Sequence, residues 1–259
     1  MIAGRPTRVE LRPAEAGYGL QARRGAGREA VRLDVEAAVR HPNVTGIEIE
    51  GEPVFVWEHF LAVLHVWGIT DLEIIVEGSE LPIFDGSAVA FDRALAEAGA
   101  QDLPGEADVL RVTVPIFLLE EDKCLAALPS GRLRVSYFLD YAHPLIGRQY
   151  FDWTLTGPQA GAEVIPARSF VPLEEVEALQ RMGYLRGGAE ENAIIVYPDR
   201  YSAPPALPQE FARHKVLDIV GDLYLAGRPV CAHVIGFRTG HAHNRVLLQR
   251  MLEAEEIRP

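Results

Sequence analysis

The segment Glu210 to Gly227 (EFARHKVLDIVGDLYLAG) constrains this chain most, because its polar and apolar residues separate cleanly at helical period. At about 100° per residue, His214, Lys215, Asp218 and Asp222 share one narrow stripe. Val216, Leu217, Val220, Leu223 and Tyr224 cover the opposite side. The pattern predicts a helix over Gln209 to Ala226, stopped by Gly227. An imidazole and a carboxylate at i and i+4 can reach one metal ion, and a second carboxylate follows one turn later. The same stripe would also suit the solvated face of an ordinary amphipathic helix. Two further histidine stretches, Trp57-Glu58-His59-Phe60 and Thr239-Gly240-His241-Ala242-His243-Asn244, favour the metal reading.

Composition narrows the alternatives. A chain of 259 residues, 48% hydrophobic and 24% charged, is expected to form one large globular domain or two small ones. A formal net charge of -12 argues against a nucleic-acid partner. Cys124 and Cys231 are too few and too far apart for a disulfide framework or a cysteine zinc site, so a metal must be held by histidine and carboxylate. No apolar run resembles a signal peptide or reaches membrane-spanning length, and the expected compartment is the cytoplasm.

Along the chain, Arg8 to Arg12 alternates as a strand, with Gly17 to Arg23 as its expected hairpin partner. Residues 25 to 40 are ambiguous, Thr45 to Glu50 reads as a strand, and Val56 to Val66 as a helix stopped by Gly68, with Glu58 and His59 in its first turn. Asp71 to Glu77 is a further strand. Ser87 is placed to cap a helix over Ala88 to Ala98, closed by Gly99. The polar stretch 100 to 108 contains Pro-Gly and marks a boundary between residues 1–104 and 105–259. In the second part, strands are expected at Val109 to Pro115, Cys124 to Leu128, Arg132 to Asp140 and Gln149 to Leu155. A short helix over Leu173 to Met182, Gly187-Gly188 and a strand at Ala193 to Tyr197 follow. The main helix precedes a strand at Val230 to Phe237 and a last helix from about Asn244 to Glu255. Strands followed by helices, twice, predict an α+β fold.

Several motifs occur together in order: Glu58-His59, Leu81 to Ala88 (LPIFDGSA), Asp140 to Pro144 (DYAHP), Arg168-Ser169-Phe170, Gly187-Gly188 with Asn192 to Val196, Phe211 to Asp222, and Gly240 to Asn244. In order and approximate spacing this set resembles the zinc-dependent UDP-3-O-acyl-N-acetylglucosamine deacetylases, which perform the committed step of lipid A synthesis. The likeness runs from Thr7 to about Leu252. It implies two α+β domains of similar make, each a sheet layered with a helix pair and the helices packed between the sheets. A substrate-passage segment would be inserted near residues 163–196.

The resemblance also implies roles. His59, His214 and Asp218 would hold Zn2+, leaving one position open. Glu58 would be the general base toward water attacking the amide. His241 would act as a cation that stabilises the oxyanion and protonates the leaving amine, with Asp222 orienting it. Ser169 stands at a family threonine that contacts the tetrahedral intermediate. Phe170 would form an apolar wall and Gly188 would belong to the substrate site. Lys215 and Arg238 match lysines that meet the anionic nucleotide, although either could be a solvated surface cation. His65, His143, His233 and His243 complete no ligand set.

The chain also departs from the family pattern. Family members begin with a strand and a Gly-rich turn ahead of Thr7, and this chain reads as N-terminally shortened. Trp57 replaces a small hydroxyl residue, Ala142 an asparagine, and Ala189-Glu190 a pair with an aromatic that lines the acyl passage. The expected activity is deacetylation of the acylated nucleotide sugar, a small-molecule substrate. A zinc amidohydrolase for another N-acetylated sugar or small amide is a second reading. A catalytically degenerate relative with a binding role is a third.

Overall fold

The computed structural model of the chain describes residues 6–27, 29–176 and 190–256. Its first half contains β1 (Arg8–Pro13), β2 (Leu20–Arg24), β3 (Val31–Arg32), β4 (Ala38–Val39), β5 (Gly46–Ile49), β6 (Glu52–Phe55), α1 (Glu58–Trp67), β7 (Leu72–Glu77) and α2 (Val89–Ala98). The second half contains β8 (Leu110–Arg111), β9 (Ile116–Glu120), β10 (Lys123–Leu128), β11 (Arg134–Asp140), β12 (Arg148–Thr154), β13 (Phe170–Pro172) and β14 (Ile194–Val196). It continues with α3 (Glu210–Leu223), β15 (Val230–Cys231), β16 (His233–Phe237) and α4 (His241–Glu256). The α+β order expected from the sequence is the one that forms.

The expected hairpin between β1 and β2 does not form. In the first sheet the order is β1-β7-β2-β3, and β7 separates the two strands, antiparallel to β1 and parallel to β2. The physical reason lies in β7, whose Leu72, Ile74, Ile75 and Val76 are buried and claim the centre of the sheet. β1 lies at the edge with Arg8, Glu10 and Arg12, charges that suit an edge strand. β4, β5 and β6 form a second small sheet in the order β4-β5-β6.

The larger sheet has the order β12-β11-β16-β10-β9, in which only β11 and β16 run parallel. The run expected as one strand from Val230 to Phe237 divides at Ala232. β15 pairs with β8, while β16 enters the larger sheet. Of Val109 to Pro115 only β8 is strand, and β6, β9 and β13 form where the sequence pattern predicts none. Residues 173–176 are helical, whereas the remainder of the helix expected to Met182, and Gly187-Gly188, lie outside the described residues.

Two of the helices, α1 and α3, lie inside. In α1 every residue from Glu58 to Val66 is buried. Gly68, at φ 68°, ends the helix by donating to His65 O at 3.1 Å, a geometry that glycine adopts without strain. α1 packs along α3, α3 packs on β11 and β12, and α4 packs on β8, β9 and β10. The close approach of α1 and α3 depends on Gly221, where a Cβ would meet the Glu58 carbonyl oxygen at 1.9 Å. α2 begins one residue later than expected. Its cap position is Ala88, and the Ser87 hydroxyl accepts from Val89 N at 3.3 Å.

Candidate metal centre and catalytic cleft

The polar stripe of α3 faces the N-terminus of α1, and the two helices enclose it. His59, His214 and Asp218 are 2%, 5% and 2% exposed, and each offers a ligand atom within 4.8 Å of the others. His214 Nε2 lies 3.4 Å and His59 Nε2 lies 4.0 Å from Asp218 Oδ1. The other ring nitrogen of His214 donates to the Ala167 carbonyl at 3.1 Å, which fixes the ring and leaves Nε2 with its lone pair. Burial, with His214 alongside, pushes the His59 pKa down to about 3, and burial also lowers that of His214. Both imidazoles are therefore neutral, the form that ligates a metal.

Asp218 divides its two oxygens between different tasks. Oδ2 accepts from Lys215 Nζ at 2.8 Å, while the buried Oδ1 has no hydrogen-bond partner among the described residues. Burial alone would favour the protonated acid, but the neighbouring cations Lys215 and His241 help to outweigh it, and the carboxyl is held below its ordinary value. Burial likewise works against the Lys215 ammonium, and Asp218, Tyr137 and Tyr141 overcome that penalty and raise its pKa. A buried carboxylate oxygen without a donor, facing two neutral imidazoles, is costly unless a cation completes it. These residues fit a divalent ion of the zinc type, with three protein ligands and an open position.

Two acid–base groups flank this set. Burial raises the Glu58 pKa to about 7, and its Oε2 accepts from the backbone N–H of Thr45 at 3.0 Å. Two residues before Glu58 stands Val56, a β-branched residue at φ 66° that lines the same cleft. Left-handed backbone at such a residue costs about 1–3 kcal/mol and is characteristic of functional sites.

His241 stands in the first turn of α4, three residues ahead of the point at which the helix was expected to start, and not on the preceding loop. A helix N-terminus disfavours a cation by about 0.3–1 kcal/mol. A facing carboxylate favours it by about 1.4–4 kcal/mol. Burial opposes the imidazolium as well, yet Asp222, Asp218 and Glu58 raise the His241 pKa to about 9. Its Nδ1 donates to Asp222 Oδ2 at 2.8 Å. The same oxygen accepts from Asn244 Nδ2 at 2.7 Å, and the Thr45 hydroxyl donates to Asp222 Oδ1 in a short hydrogen bond.

With the exception of Asp222, which lies behind His241, every described residue expected at the site lines one cleft of about 810 Å³. Ser169 lies on its wall, and its N–H and hydroxyl both donate to the Gly86 carbonyl, at 2.8 and 3.2 Å. Phe170 packs on Phe211 with ring centroids 4.4 Å apart and meets His214 edge-on, forming the apolar wall. Arg238 has φ 56° and pairs with Asp122 at 3.3 Å at the rim. Gly188 lies outside the described residues. His65 is structural, buried and stacked on Tyr224 at 4.3 Å with Nδ1 bonded to the Val220 carbonyl.

Sequence reasoning missed Lys123, which lines the cleft from β10, and Thr45. Neither carries a motif of its own: Lys123 pairs with nearby Glu120 at 3.8 Å, which reads as an ordinary surface pair, and the partners of Thr45 lie far away in sequence. Glu190, a departure from the family pattern, is exposed, accepts from the Tyr197 hydroxyl at 2.6 Å and does not line the cleft. Trp57 is buried with its indole N–H on the Val54 carbonyl at 2.9 Å, while Ala142 lies in the cleft wall.

The model of the UDP-3-O-acyl N-acetylglycosamine deacetylase family matches residues 1–253. The chain belongs to this family. It is 37% identical over 244 residues to the UDP-3-O-acyl-N-acetylglucosamine deacetylase of Leptospira biflexa, covering 93% of this chain and 81% of that protein. The protein of the same description from Anaeromyxobacter dehalogenans is 37% identical over 96% of this chain and 82% of its own length. That from Chlamydia trachomatis serovar L2 is 32% identical, over 97% and 89%. Among the described residues of this deacetylase-family chain, no helix is long and apolar enough to cross a membrane.

Proposed function

We propose that this chain is a zinc-dependent deacetylase that hydrolyses the acetamide of UDP-3-O-acyl-N-acetylglucosamine, a step of lipid A biosynthesis. The observation that carries the reading is the convergence of His59, His214 and Asp218 with Glu58 on one side and the His241–Asp222 pair on the other. Family membership supplies the substrate class. His59, His214 and Asp218 would hold the ion, with Lys215 fixing the Asp218 oxygen that does not face the imidazoles. When bound, zinc supplies electrophilic polarisation of the carbonyl and acidifies water.

The remaining chemistry belongs to side chains. Glu58, with a pKa of about 7, is poised near neutral pH to take the proton of the attacking water. His241, an imidazolium across the cleft, donates to the oxyanion as it develops and then protonates the departing amine. Asp222 holds the imidazole through Nδ1, which leaves Nε2 as its free donor. Phe170 supplies an apolar wall and Ser169 a small polar surface beside it, and Arg238 and Lys123 place positive charge at the rim for an anionic nucleotide. Glu190, bonded to Tyr197 at the surface, puts no carboxylate in the cleft.

Elemental analysis of protein purified without added zinc, together with turnover of the acylated nucleotide sugar, tests this reading. About one zinc per chain is expected, and His59→Ala is expected to lose both metal and turnover. Stoichiometric zinc in His59→Ala would overturn the ligand assignment. Turnover of soluble N-acetyl sugars alone would replace the substrate.

A further inference from the structure

The two acid–base groups lie on different helices, Glu58 on α1 and His241 on α4, with Asp222 on α3. One residue outside all three helices touches both systems. Thr45, 7% exposed and immediately ahead of β5, donates its backbone N–H to Glu58 Oε2 at 3.0 Å and its hydroxyl to Asp222 Oδ1. Asp222 receives its other two donors, His241 Nδ1 and Asn244 Nδ2, on Oδ2 alone. The hydroxyl of Thr45 is thus the donor that engages the opposite oxygen. A carboxylate torsion is broad and nearly two-fold, so a donor on each oxygen is what selects a single orientation.

We infer that Thr45 is a positioning residue that sets the Asp222–His241 pair through its hydroxyl and Glu58 through its N–H, and so holds acid and base in mutual register. The inference rests on the deacetylase reading for its kinetic consequence. Its structural content stands without that reading. The four residues preceding Thr45, His41 to Val44, line the cleft, so the strut is continuous with the substrate wall. Thr45 touches no metal-ligand atom in the hydrogen bonds above, and its loss is expected to leave metal content unchanged.

The test compares Thr45→Val, which keeps the shape and deletes the hydroxyl, with Thr45→Ser, which keeps the hydroxyl and deletes the methyl. Outer-shell partners of this kind are worth about 10- to 100-fold. Thr45→Val should lower kcat by that factor with KM within about three-fold and full metal content, and Thr45→Ser should restore kcat to within about three-fold of wild type. An independent readout is the proton NMR signal of the His241 Nδ1–H, assigned by its absence in His241→Ala. It should shift or broaden in Thr45→Val and return in Thr45→Ser. An unchanged His241 resonance in folded Thr45→Val would overturn the inference, as would equal kcat losses in both variants. If wild-type protein does not turn over the acylated nucleotide sugar, the function reading fails while the resonance still decides the role of Thr45.

Discussion

α2 and α3 both carry polar residues at helical period, and they treat them in opposite ways. In α2 only Phe91 and Leu95 are buried, and Arg93 and Glu97 face water. In α3 every residue is buried except Arg213 and Lys215, with His214, Asp218 and Asp222 inside the molecule. The difference is the neighbour. α2 lies over the core on one side, whereas α3 is sandwiched between α1 and the β11–β12 side of the larger sheet. Ionised groups are costly to bury unless paired, and on α3 each buried charge has a partner: Lys215 on Asp218, His241 on Asp222, and Arg168 on Glu210. The comparison teaches that a helical charge stripe is held inside the fold when another helix covers it and its members are cross-paired.

The sharpest way to break that contrast is at the first turns. Glu210 opens α3 with a side chain 0% exposed, bonded to Arg168 Nε at 2.8 Å and to the N–H groups of Arg168, Ala206 and Leu207. Removing one member of a buried pair costs about 3–5 kcal/mol. Glu210→Ala should lose that much stability in urea unfolding, and Asp92→Ala, on the half-buried acid that opens α2, should lose much less. A pH series sharpens the point. Burial raises the Glu210 carboxyl, but Arg168 and the backbone donors outweigh it and hold the pKa below the ordinary value. A depressed carboxyl stabilises the fold above the ordinary glutamate pKa. That contribution declines as pH falls through the ordinary range and is gone below the folded-state pKa. Wild type should therefore lose more stability on acidification than Glu210→Ala.

The covering helix can be lifted directly. A Cβ at Gly221 would collide with the Glu58 carbonyl oxygen, a backbone atom with no rotamer to change. Gly221→Ala gains about 1 kcal/mol of helix propensity. Overpacking costs about 1–3 kcal/mol or more, and a backbone contact places this site at the upper end. The net expectation is a loss of about 2 kcal/mol, together with reduced metal retention on dialysis, because His59 sits one residue beyond the displaced carbonyl. Unchanged stability and metal content would show that α1 does not need this close approach.

The same contrast explains what the sequence disclosed. Period and spacing were enough for α3, for α1 with Glu58 and His59 in its first turn, and for most strand positions. The grouping of His59, His214 and Asp218 was legible because i,i+4 spacing is local and because the family motifs supply the distant partner. Strand order was not legible: β1 and β2 have patterns that suit a hairpin, and only the greater burial of β7 decides that it separates them. The sequence pattern puts the start of α4 late because His241 and His243 lack the apolar period, and it is Asp222 on another helix that makes a buried histidine tolerable there. Thr45 was invisible for the same reason, with its partners 13 and 177 residues away. What sequence could not show is which polar face would be covered.

The smallest expected effect provides the control for that last point. Glu97 lies near the end of α2, exposed, with no salt bridge among the described residues. At a helix C-terminus a carboxylate meets the negative end of the macrodipole, which costs about 0.3–1 kcal/mol when unscreened and less in physiological salt. Alanine has the best helix propensity, a few tenths of a kcal/mol better than glutamate. Glu97→Ala should leave stability within about 0.5 kcal/mol, with any change stabilising and shrinking as salt rises. Metal content and turnover should not move. A loss above about 1 kcal/mol would mean that the charges of α2 are as structurally engaged as those of α3, and covering by α1 would no longer distinguish the two helices.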